Sequence, residues 1–455
     1  MPIARSRSNS MLDGPLLKNI ILYTVPIILT GILQLLFNAA DLVVVGQFCG
    51  ELSVAAVGNA ATLANLVVNL FIGLSVGTSV TVAQAIGAND HDAIHRAVHT
   101  ALPTAIVSGL VITAIGLPLT DRLLLLMDTP NDVLSLSSVY LKIYFAGMVF
   151  MMVYNFCAAI LRAAGDSKSP LIFLTIAGVI NVILNVFFVT AFNMDVAGVA
   201  LATSISQGVS AILVVRALMR RSDACRLFLA KVRFYKAELL KMIRIGLPAG
   251  IQGSLFSISN VIIQSSINSF GAVFMSGNAA AMNIESFLYT TLNSFHQTAL
   301  NFIGQNVGAG QYRRARKIMW ICMGCVAVGS IVLAALILAF GPTLLAIYIP
   351  GSTEAISHGM LRLNCLCFPF IFAGLMDLST GALRGLGAST SPMVISVLGI
   401  CGLRVLWVYT IFQIPAYHTP QWLFFSYSLS WAVTFLIQFV LLLALFRRRI
   451  RAQES

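Results

Sequence analysis

The sequence predicts an all-α integral membrane protein with twelve transmembrane helices, arranged as two pseudo-symmetric six-helix bundles. Its composition, its long apolar runs and an internal repeat support this prediction. Of 455 residues, 58% are hydrophobic and 10% are charged, whereas soluble domains carry roughly 25% charged residues. The mean hydropathy is +0.91. So few charges cannot cover a large water-exposed surface, so the chain must lie largely in a membrane.

The apolar runs have the length of membrane-spanning helices. Strands of β-barrels alternate over about 10 residues, whereas these runs reach the roughly 20 residues that a helix needs. No polar stretch is long enough for a separate soluble domain, and the polar N-terminus is not expected to be a cleavable signal peptide. The predicted spans are 20–46, 54–86, 96–118, 134–160, 170–191, 196–219, 239–269, 277–306, 316–340, 355–382, 392–413 and 422–446.

The basic residues are distributed asymmetrically along the chain. Lys and Arg collect in both tails and in the even-numbered connections, so the net charge of +12 reflects topology and does not suggest nucleic acid. The positive-inside rule places both termini in the cytoplasm, and a bacterial inner (plasma) membrane is expected. The expected organisation is a cytoplasmic tail (1–19), an N-terminal lobe (20–219), an interlobe loop (220–238), a C-terminal lobe (239–446) and a basic cytoplasmic tail (447–455).

An internal repeat relates the two halves. The connector "LRAAGDSKSP" at 161–170 has a counterpart, "LRGLGASTSP", at 383–392, and the same interval separates Pro26 from Pro248. Six spans is an even number, so both halves enter the membrane from the same side and the repeat is parallel. Two similar bundles favour a transporter in which the lobes rock about a central site.

Polar side chains on three predicted helices form a candidate cation site. Ionisable residues at bilayer depth are costly and mark function by default. In the first span, Gln34, Asn38 and Asp41 lie on one helical face. The fifth span carries Asn181 and Asn185, and the sixth carries Thr203. Their oxygens suit a hard monovalent cation, or a proton on Asp41. The alternative is that the asparagines join helices by hydrogen bonds.

The second half offers two further acids, Glu285 and Asp377, as candidates for C-terminal coupling residues. The alternative for each is a structural salt bridge, for which Arg404 is a candidate partner. His91, His95 and His99 share one helical face, and an interfacial helix surface is a better explanation of them than a metal site. An organic substrate needs an apolar, partly aromatic cleft. Candidate wall residues are Phe37, Met151, Tyr154, Phe256, Gln252 and Tyr289.

The polar first span "FNAADLVVVG" (37–46), the turn "IGQNVGAGQ" (303–311) and the paired connectors resemble the multidrug and toxic compound extrusion (MATE) family over essentially the whole chain. The resemblance implies an antiporter, not an enzyme, which exports organic and often cationic compounds as sodium ions or protons enter. Asp41, Asn181, Asn185 and Thr203 resemble the family's N-terminal cation site. Asn185 stands where some members carry a second acid, which favours weaker ion binding or a proton on Asp41.

The expected partners are a small organic substrate and membrane lipid, without nucleic acid, and the expected state is a monomer. No cofactor or metal is expected beyond a coupling H⁺, or Na⁺ at Asp41. Two rival functions stay open. A polyprenyl transferase needs clustered acids, but Asp90 and Asp92 have no companion. A flippase for lipid-linked precursors needs several basic residues in its cleft, and those within the spans are few and placed near interfaces.

Overall fold

The computed structural model describes residues 11–127 and 129–454, except for the side chains of residues 62, 65 and 66. Within these residues the regular structure is helical, and no β-strand occurs. The α-helices are α1 (Leu16–Phe48), α2 (Glu51–Gly87), α3 (His91–Leu126), α4 (Asn131–Ala146), α5 (Met148–Ala163), α6 (Lys168–Phe192), α7 (Asp195–Met219), α8 (Lys236–Asn268), α9 (Ala272–Gly308), α10 (Tyr312–Tyr348), α11 (Thr353–Leu366), α12 (Phe370–Gly385), α13 (Thr390–Ser396), α14 (Leu403–Tyr409) and α15 (Pro420–Glu454). A π-helix (Val397–Gly402) joins α13 to α14.

Most of these helices can cross a membrane. In the described part of the chain, nine helical segments are long and apolar enough, and α13 with α14 counts as one of them. The pairs α4–α5 and α11–α12 each qualify as one span, bent by 48° and 53°. Helix α9 has 37 residues, which is long enough to cross a membrane. It carries more polar side chains than the segments counted above. With α9 the described chain contains the twelve helical passages that the sequence predicts.

The two bends occupy equivalent positions in the repeat. Gly147 separates α4 from α5, and Pro369 directly precedes α12. These two residues are as far apart in the sequence as Pro26 and Pro248, so they are equivalent positions of the repeat. Proline lacks a backbone N–H and cannot continue a preceding helix. A Cβ atom at Gly147 would lie 2.5 Å from the Ser204 Oγ atom, so glycine permits the close approach of α7. The same bend is therefore produced by two different residues.

The turns also repeat in backbone conformation. Gly50, before α2, has φ 95° and ψ 178°, and Gly271, before α9, has φ 91° and ψ 169°. Only glycine adopts this region readily, because a side chain would collide with the backbone. Each glycine occupies the same place in its half, directly before the second long helix. The duplication therefore extends from sequence landmarks to individual dihedral angles.

The chain forms two compact units that exchange within α1 and within α8. The N-terminal unit is Val25–Ser254, and the C-terminal unit comprises the residues up to Thr24 and those from Leu255 onward. The first part of α8 thus belongs to the N-terminal unit, and the first part of α1 to the C-terminal unit. The expected lobes, 20–219 and 239–446, divide the chain at other positions and stay a prediction.

In the N-terminal unit, α8 packs directly on α2 through glycines. A Cβ atom at Gly73 would lie 2.1 Å from the Gly250 backbone nitrogen, and one at Gly77 would lie 2.1 Å from the Met242 carbonyl oxygen. The absence of side chains lets the two backbones touch, as small residues do between membrane helices. This contact joins the beginning of α8 to the N-terminal unit.

In the C-terminal unit, the beginning of α1 is joined to α9 by hydrogen bonds. The hydroxyl oxygens of Thr24 and Thr298 are 2.9 Å apart, and the Asn301 Nδ2 atom donates to the Tyr23 hydroxyl at 3.0 Å. The buried side chain of Asn306 donates to the Met11 carbonyl oxygen at 3.0 Å. The two units therefore use different chemistry at equivalent helix contacts.

We predict that Gly50→Ala and Gly271→Ala each lower the free energy of unfolding by about 1–3 kcal/mol, because alanine cannot adopt their φ and ψ without strain. Nothing lies within 4 Å of the added Cβ atom at either site, so the loss reports backbone strain alone. The measurement is the Tm of the purified protein in detergent.

Gly324→Ala is the matched control. This residue lies within α10, and its added Cβ atom also meets nothing within 4 Å, but its helical backbone accepts alanine readily. Its Tm should not fall. Equal Tm losses in all three variants would contradict the prediction.

Candidate functional site

Asp41 meets the fifth- and sixth-span polar residues inside the N-terminal unit. The Asn185 Nδ2 atom on α6 donates to Asp41 Oδ1 on α1 at 2.5 Å. It also lies 3.4 Å from Asn181 Oδ1, and the Asn181 Nδ2 atom donates to the Thr203 hydroxyl on α7 at 3.3 Å. The four side chains thus form one hydrogen-bonded row across three helices.

One acceptor in this row has no donor among the residues that the structure describes. Asn185 is completely buried, and Asn181 is 5% exposed. The Asn185 Oδ1 atom is buried without a hydrogen-bond partner among the described residues. An unsatisfied buried acceptor costs about 1–3 kcal/mol. A carboxylate and an unpaired amide oxygen thus lie in one row, so the site has capacity for a cation or a proton.

The remaining first-span residues do not join the row. Gln34 and Asn38 are exposed, and the described structure gives them no hydrogen bond. Phe37 packs against α6, where a Cβ atom at Gly178 would lie 1.9 Å from the ring. One turn of helix therefore separates an apolar contact with α6 from the hydrogen-bonded contact at Asp41.

Glu285 forms a buried ion pair in the C-terminal unit. The Arg362 guanidinium on α11 donates from Nη2 and Nε to the two carboxylate oxygens of Glu285, at 2.7 and 3.0 Å. It also donates to Asn278 Oδ1 at 2.8 Å. The basic partner of Glu285 is therefore Arg362, not Arg404. The bidentate geometry leaves neither carboxylate oxygen without a donor.

Asp377, itself buried, lies in a second polar cluster of the same unit. Asn293 Nδ2 is 3.5 Å from its Oδ2 atom, and the Tyr289 hydroxyl also hydrogen-bonds the carboxylate. His296 Nδ1 lies 2.7 Å from the Asp377 carbonyl oxygen. Arg384, 6% exposed, interacts electrostatically with Asp377. Asp377 is thus linked to α9 and is not a solvated interfacial carboxylate.

The sequence also contains a pattern that predicts these clusters. Along α9, polar side chains recur at intervals of three, four or seven positions, which places them on one helical face. They are Asn278, Glu285, Tyr289, Asn293 and His296. This is the spacing argument that identified the first-span stripe. Applied to the eighth span, it identifies α9 as the helix that carries Glu285 and contacts Asp377.

Arg404 is buried, and no carboxylate of the described residues forms an ion pair with it. Its Nε atom donates to Ser430 Oγ at 2.9 Å, and its Cζ atom lies 4.0 Å from the Tyr427 ring centroid and 5.4 Å from that of Trp431. Its Nη2 atom is buried without a hydrogen-bond partner in the described chain. The side chain is 4% exposed. Buried charges are normally paired.

The candidate wall residues differ in what they already contact. The Tyr154 hydroxyl donates to the Pro170 carbonyl oxygen at 3.2 Å, and the Tyr144 hydroxyl contacts Met151 Sδ at 3.8 Å. The two candidate wall residues Tyr154 and Met151 therefore already take part in local packing. Gln252 is buried, Phe256 is partly buried and Tyr289 is 46% exposed.

The histidines of α3 hold a loop. The His99 Nε2 atom accepts a hydrogen bond from the Phe228 backbone N–H at 3.0 Å, and the His95 and His99 rings stack with centroids 3.9 Å apart. Thr100 accepts from the Tyr235 backbone N–H at 3.1 Å. Across the described residues, no group of three His, Cys, Asp or Glu side chains could hold a metal.

Known proteins similar to this chain are membrane transporters. The sequence model of the MatE family matches residues 26–187 and 248–410. The chain is 28% identical to the probable multidrug resistance protein YpnP of Bacillus subtilis (strain 168) over 392 residues, covering 86% of this chain and 87% of YpnP. It is also 28% identical over 397 residues to YoeA of the same organism, a probable multidrug resistance protein, covering 85% of each.

A solved structure has the same fold. The crystal structure of MATE in the bent conformation superposes with a TM-score of 0.90 at 19% identity, covering 99% of this chain and all of that one. The two segments matched by the family model begin at Pro26 and Pro248, the repeat landmarks. The predicted architecture of twelve transmembrane helices in two six-helix bundles is confirmed.

We predict that Glu285→Gln lowers the free energy of unfolding by about 3–5 kcal/mol, because it leaves the buried Arg362 cation without its counter-charge. The measurement is thermal unfolding in detergent. The double variant Glu285→Leu, Arg362→Met removes both charges and should regain most of the lost stability. A Glu285→Gln protein with unchanged Tm and abolished transport would instead identify Glu285 as a coupling residue.

Proposed function

The chain belongs to the MatE family of transporters, and from this premise we propose that it is a secondary antiporter that exports organic, multidrug-type cations in exchange for H⁺ or Na⁺. The two lobes would alternate access to a central site. The names of its Bacillus subtilis relatives, probable multidrug resistance proteins, support the export of multidrug-type compounds.

The observation that carries the coupling proposal is the contact between Asp41 and Asn185. A carboxylate among buried amides can bind a cation directly, and the Asn185 Oδ1 atom is available as a further ligand. With Nδ2 turned toward Asp41, Asn185 stabilises the ionised carboxylate. A half-turn of the amide would present Oδ1 to a proton on Asp41 or to a sodium ion.

The charge of the site favours a proton over sodium. Its four side chains carry one formal charge, on Asp41, because Asn181, Asn185 and Thr203 are neutral. One carboxylate can be neutralised completely by one proton. Sodium would also require several oxygens to turn inward together, whereas two of the amide nitrogens now point along the row.

The proposed location is a bacterial inner membrane, with both termini in the cytoplasm and lipid surrounding a monomer. The basic residues of the tails and of the loop after α7 support this orientation through the positive-inside rule. That loop contains Arg220, Arg221, Arg226, Lys231 and Arg233.

We predict that Asp41→Asn abolishes ion-coupled export, because an amide cannot take up or release a proton. The purified protein in liposomes would be tested with ethidium under a proton gradient and, separately, a sodium gradient. Movement should fall at least tenfold, to the protein-free level. Asp121→Asn is the matched control, since that carboxylate is 55% exposed and pairs with Lys142 at the surface. Ethidium transport at the wild-type rate in Asp41→Asn would overturn the role of Asp41.

Asn185→Asp tests the ion. A second carboxylate beside Asp41 should raise the sodium dependence of ethidium movement, because two negative charges bind a cation more strongly than one. If the wild type already shows full sodium-driven movement without any proton gradient, the preference for a proton is wrong.

A second candidate function follows from Arg404. Among its described residues, the C-terminal unit buries three arginines, Arg362, Arg384 and Arg404, but only two acids, Glu285 and Asp377. The arginine without an acidic partner in the described part of the chain, Arg404, favours a substrate with an anionic group. A lipid-linked precursor with a diphosphate is one such molecule. In this case the same lobes would move anions.

This alternative predicts gradient-driven movement of the anionic dye carboxyfluorescein. Arg404→Gln should lower its rate at least fivefold, and Arg404→Lys, which keeps the charge, should lower it less. Ethidium movement in the same liposomes controls for folding and for the gradient. A wild-type protein that moves ethidium but no carboxyfluorescein would exclude the anionic substrate.

A further inference from the structure

A basic cleft lies in the C-terminal unit between the beginning of α1 and the first turns of α10. Its volume is about 640 Å³. One side is cationic and the other is apolar. The lining residues that matter here are Gly14, Leu16, Leu17, Arg313, Arg314 and Lys317. Because both helices continue into membrane-spanning segments, the cleft lies where a lipid headgroup and its first methylene groups meet a protein.

The cations of the cleft are only partly neutralised. Arg313 forms an ion pair with Glu454. Arg314 donates to the Gly14 carbonyl oxygen at 3.1 Å, but its Nε atom is buried without a hydrogen-bond partner in the described chain. Lys317 is exposed, and within the described residues neither it nor Arg314 has a carboxylate within ion-pair distance.

The repeat shows what is missing here. Lys317 corresponds to Arg96 in the second turn of α3, at the interval that separates Gly271 from Gly50. In the N-terminal unit, Arg96 is neutralised by Glu238 at the beginning of α8, with Nε and Oε1 2.6 Å apart. The α1 residue equivalent to Glu238 is Leu16, which precedes Pro26 by as many positions as Glu238 precedes Pro248. The C-terminal unit therefore keeps the cation but has leucine in place of the carboxylate.

We propose that the phosphate of an anionic membrane phospholipid occupies this cleft and supplies the negative charge that Glu238 supplies in the other unit. Arginine donors match phosphate oxygens in a bidentate manner, and basic pockets beside membrane helices bind such headgroups. Leu16 and Leu17 form the apolar side of the cleft, where an acyl chain can pack. A soluble phosphate ester has no acyl chain. With both termini in the cytoplasm, as proposed above, this lipid belongs to the cytoplasmic leaflet.

The test measures lipid binding, not transport, so it is independent of the proposed antiport. Purified full-length protein in detergent is titrated with dioleoylphosphatidylglycerol, with dioleoylphosphatidylcholine and with glycerol 3-phosphate, and bound lipid is counted by native mass spectrometry. The wild type should retain phosphatidylglycerol in preference to phosphatidylcholine. Arg314→Gln with Lys317→Gln should weaken phosphatidylglycerol binding roughly 10- to 30-fold.

Two further variants distinguish a site from general surface charge. Arg220→Gln with Lys236→Gln removes the same charge from exposed positions of the N-terminal unit and should leave binding unchanged. Leu16→Glu restores the carboxylate at the repeat position, and it should displace the lipid while the Tm stays at or above that of the wild type.

Three results would overturn the proposal. One is equal retention of the two lipids by the wild type. Another is an equal loss of binding in the two double variants. The third is tight binding of glycerol 3-phosphate without a lipid preference, which would identify a soluble phosphate ester as the occupant.

Discussion

Every polar group that this protein buries among its helices must be satisfied by the protein itself, because hydrocarbon offers no hydrogen bonds. The Glu285–Arg362 pair shows the constraint most completely, since both carboxylate oxygens accept from one guanidinium and Asn278 takes a further donor. Charges buried in this way hold helices α9 and α11 together. They are also unavailable for moving ions unless the pair opens.

Both functional candidates contain a buried polar atom that the described residues leave without a hydrogen-bond partner, as they leave several other buried atoms. Among the residues that the structure describes, the Asn185 Oδ1 atom has no donor although it lies beside a carboxylate, and the Arg404 Nη2 atom has no acceptor although it lies beside two aromatic rings. The first can be satisfied by a small cation and the second by an anion. A transporter needs such unsatisfied groups, because a site whose groups are all paired internally has no reason to bind a passing ion or substrate.

Duplication gave both halves the same scaffold but not the same chemistry. The glycines before α2 and α9 share a backbone conformation that only glycine adopts readily, and the bends after α4 and α11 fall at equivalent positions. The charges have diverged on this common backbone. Arg96 pairs with Glu238, whereas Lys317 has Leu16 at the repeat position of that carboxylate. Differences between equivalent positions therefore indicate where each half has acquired a role of its own.

The sequence by itself determined the class, the helices and the repeat. Low charge and long apolar runs require membrane helices, and landmarks that recur in the same order at a nearly constant interval require two similar halves. Helical spacing also identified Asp41, Asn181 and Asn185 as members of polar faces, because residues three or four apart lie on one side of a helix.

Only the tertiary structure decided which faces meet. Periodicity gives the direction of a side chain relative to its own helix, but not the rotation of the neighbouring helix. The partner of Glu285 was therefore not predictable, and neither was the separation of Asp41 from Gln34 and Asn38. The exchange of compact units at Thr24 and Ser254, inside two continuous helices, leaves no mark in hydropathy. It depends on contacts such as Gly73 with Gly250, which form between residues far apart in the chain.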